Sequence, residues 1–122
     1  MNLGIVLVSH SPQIAAGFFE LLSQIAPDVS ITIAGGTDTN EIGTNLDKIL
    51  QAFNENLADE ILAFYDLGSA KMNLEMALEL TDKKVHLYDV AFIEGAYSAT
   101  ALAQTTANLS EIEAQLAPLK IK

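Results

Sequence analysis

Two apolar periods take turns along this 122-residue chain, a continuous or alternating run of a few residues and then a longer stretch at helical spacing. The first run, Leu3 to Val8, is apolar at every position and rich in β-branched residues, the signature of a parallel strand covered on both faces. It stops at Ser9-His10-Ser11. Pro12 suits the first turn of a helix because its ring presets φ and its missing donor would go unpaired there anyway, which makes Ser11 the natural N-cap. Ile14, Ala15, Phe18, Phe19, Leu21, Leu22 and Ile25 then recur as one helical face. A second round begins with Val29 to Ile33, which alternates, and passes through the loop Ala34-Gly-Gly-Thr-Asp-Thr39. The spacing predicts a helix capped by Thr44 with Asp47 three residues on, burying Leu46, Ile49, Leu50, Phe53 and Leu57 and ending near Asn56. The third strand, Glu60 to Tyr65, delivers Asp66 to its carboxyl end, and Leu67-Gly-Ser69 turns the chain into a helix over 70–80. Either Met72, Met76 and Leu80 or Leu74, Ala77 and Leu78 face inward. A fourth strand follows at Val85 to Val90, then a helix over 92–108, and Ser110-Glu-Ile-Glu113 has the capping-box form that opens a short terminal helix. Strand and helix alternating four times predict an α/β fold: one three-layer sandwich whose mostly parallel sheet of about four strands carries helices on both faces.

The length supplies one domain, and half the residues are apolar, enough for one core. With no cysteine there is no disulfide framework and no thiolate zinc site, and a cytoplasmic location is the default. The amino terminus lacks the basic start of a signal peptide, and no apolar run reaches the length of a membrane span. Six lysines, no arginine and sixteen acidic residues give a formal charge of −10, which repels nucleic acid and anionic lipid. The missing arginine also bears on chemistry. Sites that hold phosphate tightly clamp it with a bidentate guanidinium, so a phosphoryl group bound here would rest on amides and hydroxyls.

His10 is the residue with the most to explain. Ligands of open α/β sheets collect outside the carboxyl ends of the strands, where free N–H groups and the helix dipole favour an anion. A neutral imidazole nitrogen in that place can attack phosphorus, provided the other nitrogen keeps its proton on a partner that stabilises the charge. The pattern puts Asp66 at the end of a neighbouring strand, where it would orient the imidazole, or else it is a turn aspartate capping Gly68-Ser69. Ser9, Ser11, Thr37 and Ser69 are candidate hydroxyl donors to a phosphoryl group, or caps. Gly35-Gly36 could turn successive N–H groups toward an anion, or be a plain turn. His86, flanked by Val85 and Leu87 within a strand, reads as structural or surface, and Lys71 as a helix-surface lysine. The two histidines have no metal-ligand spacing, so no metal is expected.

Four motifs in order, Gly4-Ile-Val-Leu-Val-Ser-His-Ser-Pro12, Ala34-Gly-Gly-Thr37 with Ile42-Gly-Thr44, Tyr65-Asp-Leu-Gly-Ser-Ala-Lys-Met-Asn73 and Ile93-Glu-Gly-Ala96, together resemble the phosphotransferase subunit of bacterial phosphoenolpyruvate-dependent dihydroxyacetone kinase. That subunit is similar to the IIA domain of mannose-type sugar permeases. The resemblance spans residues 1–122 as one phosphotransfer domain. It implies that His10 accepts a phosphoryl group from the histidine-containing phosphocarrier protein and passes it to ADP on the nucleotide-binding subunit of the kinase, where ADP stays as a standing cofactor. No cofactor is then bound by this chain itself. It also implies a homodimer, with Asp66 near the histidine. Some members carry further phosphocarrier-like domains, and this chain, stopping at Lys122, would borrow a separate phosphocarrier. Many relatives have proline where this chain has Phe92. The nearest alternative is the IIA component of a mannose-type permease, which hands its phosphoryl to another protein histidine. A histidine phosphatase would need cationic clamps that a chain without arginine does not offer. In a regulatory module, His10 would merely cap the turn.

Overall fold

The structure, a computed structural model, describes residues 2–122. Four strands, β1 (Leu3–Ser9), β2 (Ile31–Gly35), β3 (Glu60–Tyr65) and β4 (Lys84–Tyr88), form one sheet in the order β2-β1-β3-β4 with every pairing parallel. Five helices connect and flank them: α1 (Pro12–Ile25), α2 (Leu46–Glu55), α3 (Lys71–Leu80), α4 (Phe92–Gln104) and α5 (Leu109–Leu116).

Alternation along β1 builds both cores. Ile5 and Leu7 pack with Phe18 and Leu22 of α1 and with Phe92, Ala96 and Ala99 of α4, while Val6 and Val8 pack with Ile49 and Phe53 of α2 and Leu74 and Ala77 of α3. Each helix lies on the face its buried residues dictate, which gives the three layers read from the sequence. The chain leaves β1 toward β2 on one side and later adds β3 on the other. The strand order therefore reverses between β1 and β3, and the carboxyl ends of these two strands bound the crevice where such folds bind ligands.

The amino end of this arrangement is locked by Asn56, whose side-chain amide donates to the carbonyls of Ile5 (3.0 Å) and Ser30 (3.2 Å) and to the Thr32 hydroxyl (3.1 Å) while its oxygen accepts the Ala58 N–H at 3.1 Å. Gly4 is glycine because any Cβ there would stand 2.1 Å from the Asn56 oxygen. Asn56→Ala strips partners from several buried polar groups at once. It should lower stability by about 2–4 kcal/mol in urea titrations without changing the fold.

Several local readings are corrected. Strand two starts and ends two residues later than its alternation suggested, so Ala34 and Gly35 are strand and the turn begins at Gly36, with φ of 75°. Asn45, not Thr44, caps α2: its side chain accepts the Lys48 N–H at 2.9 Å, while the Thr44 hydroxyl accepts from Asn73. On α1 only Ala15, Phe18 and Leu22 are buried, because a helix laid along a sheet covers a narrow stripe; Ile14, Phe19, Leu21 and Ile25 are exposed. Leu57 lies beyond α2 and is 89% exposed. On α3 the structure chooses Leu74, Ala77 and Leu78, leaving Met72, Met76 and Leu80 outside. The fourth helix ends at Gln104 rather than at 108, and the capping box belongs to Asn108 and Glu111, two residues before the expected pair. Strand four ends at Tyr88, so Asp89 also sits at a strand's carboxyl end. Among the described residues, no helix is long and apolar enough to cross a membrane.

Candidate active site

The first strand ends where its side chains stop being apolar, and α1 starts at Pro12 under a Ser11 cap whose hydroxyl accepts the Ile14 N–H at 3.2 Å. His10 is thus fixed in a two-residue corner between a strand and a helix amino terminus. Its carbonyl accepts the Gly43 N–H at 2.9 Å, so the loop after β2 is tied against the same corner.

Asp66, at the end of adjacent β3, meets that corner with both carboxylate oxygens. Oδ2 accepts the His10 backbone N–H at 3.0 Å and the Ser9 hydroxyl at 2.8 Å; Oδ1 lies 2.9 Å from His10 Nδ1 and accepts the Leu67 N–H at 2.7 Å. Burial pushes the Asp66 carboxyl up, but the hydrogen bonds from the His10 ring, the Ser9 hydroxyl and the two backbone N–H groups outweigh it and hold the pKa below its ordinary value. An ionised carboxylate only accepts. The neutral ring must therefore carry its proton on Nδ1 and its lone pair on Nε2. Nε2 lies 2.7 Å from the Ser69 hydroxyl, which stands in the short 3-10 turn Gly68–Ala70 before α3 and can donate to that lone pair. The side chains of His10 and Asp66 are 14% and 16% exposed, so the ring is sheathed, while the pair that Nε2 makes with the Ser69 hydroxyl lies at the exposed rim.

The structure thus gathers His10, Asp66, Ser9 and Ser69 into one chain of hydrogen bonds. The remaining candidates have local duties. Ser9 is fully buried, its hydroxyl donating to Asp66 and accepting the Ser11 N–H at 3.0 Å, which makes it a brace for the carboxylate. Ser11 caps α1. The Gly36 N–H donates to the Ser9 carbonyl and the Thr37 N–H to the Glu41 carbonyl, so these amides close a turn instead of converging on an anion. Gly36 is required there by its positive φ and by Pro12, whose Cγ would lie 2.6 Å from a Cβ. His86 pairs with Glu60 at 2.7 Å between β4 and β3.

Sequence reasoning missed the network behind Asp66. Asp89 takes the fully buried Tyr65 hydroxyl at 2.5 Å and the Lys71 ammonium at 2.9 Å, so Lys71 is an ion-pair partner rather than a free surface lysine. The signal was present: Tyr-Asp occurs at both strand ends, Tyr65-Asp66 and Tyr88-Asp89. Two further cations reach the rim. Lys48 donates to the Gly35 carbonyl at 2.9 Å, and Lys122 donates to the carbonyls of Tyr65 and Asp66 at 2.7 and 3.0 Å.

The depressed Asp66 pKa carries a stability consequence of definite sign. A carboxyl group with a folded-state pKa below its unfolded value near 3.8 stabilises the fold above that value and loses the contribution as pH falls through the lower one. The melting-temperature gap between the natural protein and Asp66→Asn should be constant above about pH 5 and shrink below about pH 4.

The family model described as the PTS system fructose IIA component matches residues 4–113. The PTS-dependent dihydroxyacetone kinase, phosphotransferase subunit DhaM, of Lactococcus lactis is 46% identical over 100% of this chain and 99% of its own length. The PEP-dependent dihydroxyacetone kinase 1, phosphoryl donor subunit DhaM, of Listeria innocua is 44% identical over 98% of this chain and 96% of its own. A crystal structure of a protein of unknown function superposes with a TM-score of 0.86 at 32% identity, covering 100% of this chain and 98% of that one. Matched by the family model from the first strand into the last helix, and end to end by curated relatives, the chain belongs to the PTS system fructose IIA component family.

Proposed function

We propose that this protein is the phosphoryl-donor subunit of a PTS-dependent dihydroxyacetone kinase, and that it works as a phosphohistidine carrier. The observation that carries this reading is the ring of His10, with Nδ1 held by Asp66 at 2.9 Å and Nε2 left at the rim beside Ser69. In the first transfer, the Nε2 lone pair attacks the phosphorus of a phosphohistidine on the histidine-containing phosphocarrier protein. The new N–P bond forms as the donor's breaks, and the donor histidine leaves with its electron pair. The His10 ring, still protonated at Nδ1, carries a positive charge that the Asp66 carboxylate offsets. The Ser69 hydroxyl, no longer accepted by Nε2, turns to a phosphoryl oxygen. In the second transfer, a terminal oxygen of ADP on the nucleotide-binding kinase subunit attacks phosphorus and the Nε2–P bond breaks, yielding ATP there. The proton on Nδ1 never moves, so both steps are reversals of one geometry. ADP is the partner's resident cofactor, and this chain needs none of its own.

Absence of a guanidinium suits a carrier. Contacts that favoured the resting phosphoprotein over the transfer state would slow release. The homodimer implied by the resemblance and a cytoplasmic location shared with both partners belong to the same reading. The test is acceptor choice: phosphorylated protein is mixed with the ADP-loaded kinase subunit or with the next component of a mannose-type permease. Phosphate should pass to ADP. Transfer to the permease component alone would overturn the kinase assignment in favour of the sugar transporter.

A further inference from the structure

Residues 119–122 run back along the exit of β4. The Ala91 N–H donates to the Leu119 carbonyl at 3.0 Å, Val90 and Lys120 form an antiparallel bridge, and the Ile121 and Lys122 N–H groups donate to the Asp89 carbonyl at 3.2 and 3.4 Å. This course lays Lys122 across the end of β3. Its ammonium donates to the Tyr65 and Asp66 carbonyls at 2.7 and 3.0 Å and lies 4.4 Å from the centroid of the Tyr65 ring. Tyr65 is itself anchored through its hydroxyl to Asp89. A frame closes: Asp89 holds the Tyr65 ring, Tyr65 and its carbonyl hold Lys122, and Lys122 holds the peptide that bears Asp66.

An ammonium withdrawn from water is costly, and two carbonyls at a sheet rim could take their hydrogen bonds from solvent instead. Burial lowers the Lys122 pKa against the pull of the Asp66 and Asp89 carboxylates, so the charge is kept there at some expense. Where it sits explains what it does. A phosphoryl dianion on Nε2 would repel the Asp66 carboxylate across the imidazole, and a cation behind that carboxylate offsets the repulsion without clamping the phosphoryl.

We propose that Lys122 is a positioning residue for His10, fixing the Tyr65–Asp66 peptide from behind and supplying a positive charge beside the carboxylate that orients the imidazole. The proposal rests on His10 being the phosphoryl acceptor. The charged groups that act on this ammonium are the carboxylates of Asp66 at the end of β3 and Asp89 after β4, with the Tyr65 ring against it; Lys71 on α3 and Lys120 on its own segment act in turn on Asp89.

The chain contains no cysteine, so Lys122→Cys carries a single thiol that bromoethylamine converts to a lysine analogue and iodoacetamide to a neutral adduct. The readout is the rate of His10 phosphorylation by the phosphorylated phosphocarrier protein. The Cys form should lose about five- to tenfold in kcat with KM for the phosphocarrier within about twofold, and its acid limb should move to higher pH. Aminoethylation should restore the rate to within about twofold of the natural protein, and the neutral adduct should not. Equal rates in all forms, or a loss that the two adducts share, would overturn the proposal. Failure of the natural protein to label at His10 would instead remove the carrier reading on which it stands.

Discussion

A His10→Gln protein incubated with phosphoenolpyruvate and the upstream transfer proteins takes up no phosphate, and dihydroxyacetone phosphorylation in the reconstituted mixture falls more than about a thousandfold. The glutamine amide fills much of the same space and can still bond to Ser69 or Asp66, but it has no nitrogen lone pair with which to attack phosphorus. No neighbour can take over. Among the described residues the Ser69 hydroxyl has His10 as its only side-chain partner, and His86 is held by Glu60 between β4 and β3. Because the histidine corner is set by backbone bonds from Gly43 and to Asp66, the fold should survive the change with a melting temperature within a few degrees of the natural protein. Uptake of label by a folded His10→Gln protein would place the acceptor elsewhere.

Asp66→Asn should slow both transfers by about a hundred- to a thousandfold while leaving the phosphocarrier KM nearly unchanged. The carboxylate accepts four donors, two on each oxygen: the Ser9 hydroxyl and His10 N–H on Oδ2, and His10 Nδ1 and the Leu67 N–H on Oδ1. An amide has one oxygen. Whichever way it turns, an NH2 group faces donors, and if it faces Nδ1 the ring moves its proton to Nε2 and buries the lone pair that attacks. The positive charge formed on the phosphorylated ring also loses its counter-ion. Rapid-quench labelling separates this from simple destabilisation, since the unmet donors should cost about 1–3 kcal/mol in denaturant titrations, too little to unfold a domain of ordinary stability. A full rate in a folded Asp66→Asn protein would reduce the residue to a turn cap.

Residues 3–22 displayed most of this in the sequence. A fully apolar run, a serine-flanked histidine and a proline at the first helical turn fix strand, corner and helix with little help from tertiary contacts, and the structure agrees there on the element bounds and the Ser11 cap, though it buries a narrower stripe of α1. Local chemistry was less legible where several residues could do one job. Thr44 and Asn45 are adjacent cap formers, as are Asn108 and Ser110 within two positions, and the choice depends on which backbone turns first. The inward face of α3 could not be read because two apolar stripes compete on one helix; only the sheet beneath decides between Leu74 and Met76. At the site, Asp66 was found because a strand pattern delivered it. Asp89 was hidden by a strand read two residues too long, and Lys122 because nothing local announces that residues 119–122 return to the end of β3. At Gly35-Gly36 the sequence allowed either an anion nest or a plain turn, and the structure forms the turn, closed on the Ser9 carbonyl.

The position of the N–P bond tests the carrier chemistry most directly. Protein labelled with 15N in its histidines is phosphorylated by the upstream proteins, held at alkaline pH where phosphoramidates persist, and read by long-range 15N–1H spectra alongside mass spectrometry of the His10 peptide. A single phosphoryl group on Nε2 of His10, with Nδ1 still protonated toward Asp66, is the expected result. Phosphate on Nδ1, on His86 or on no histidine at all would contradict it.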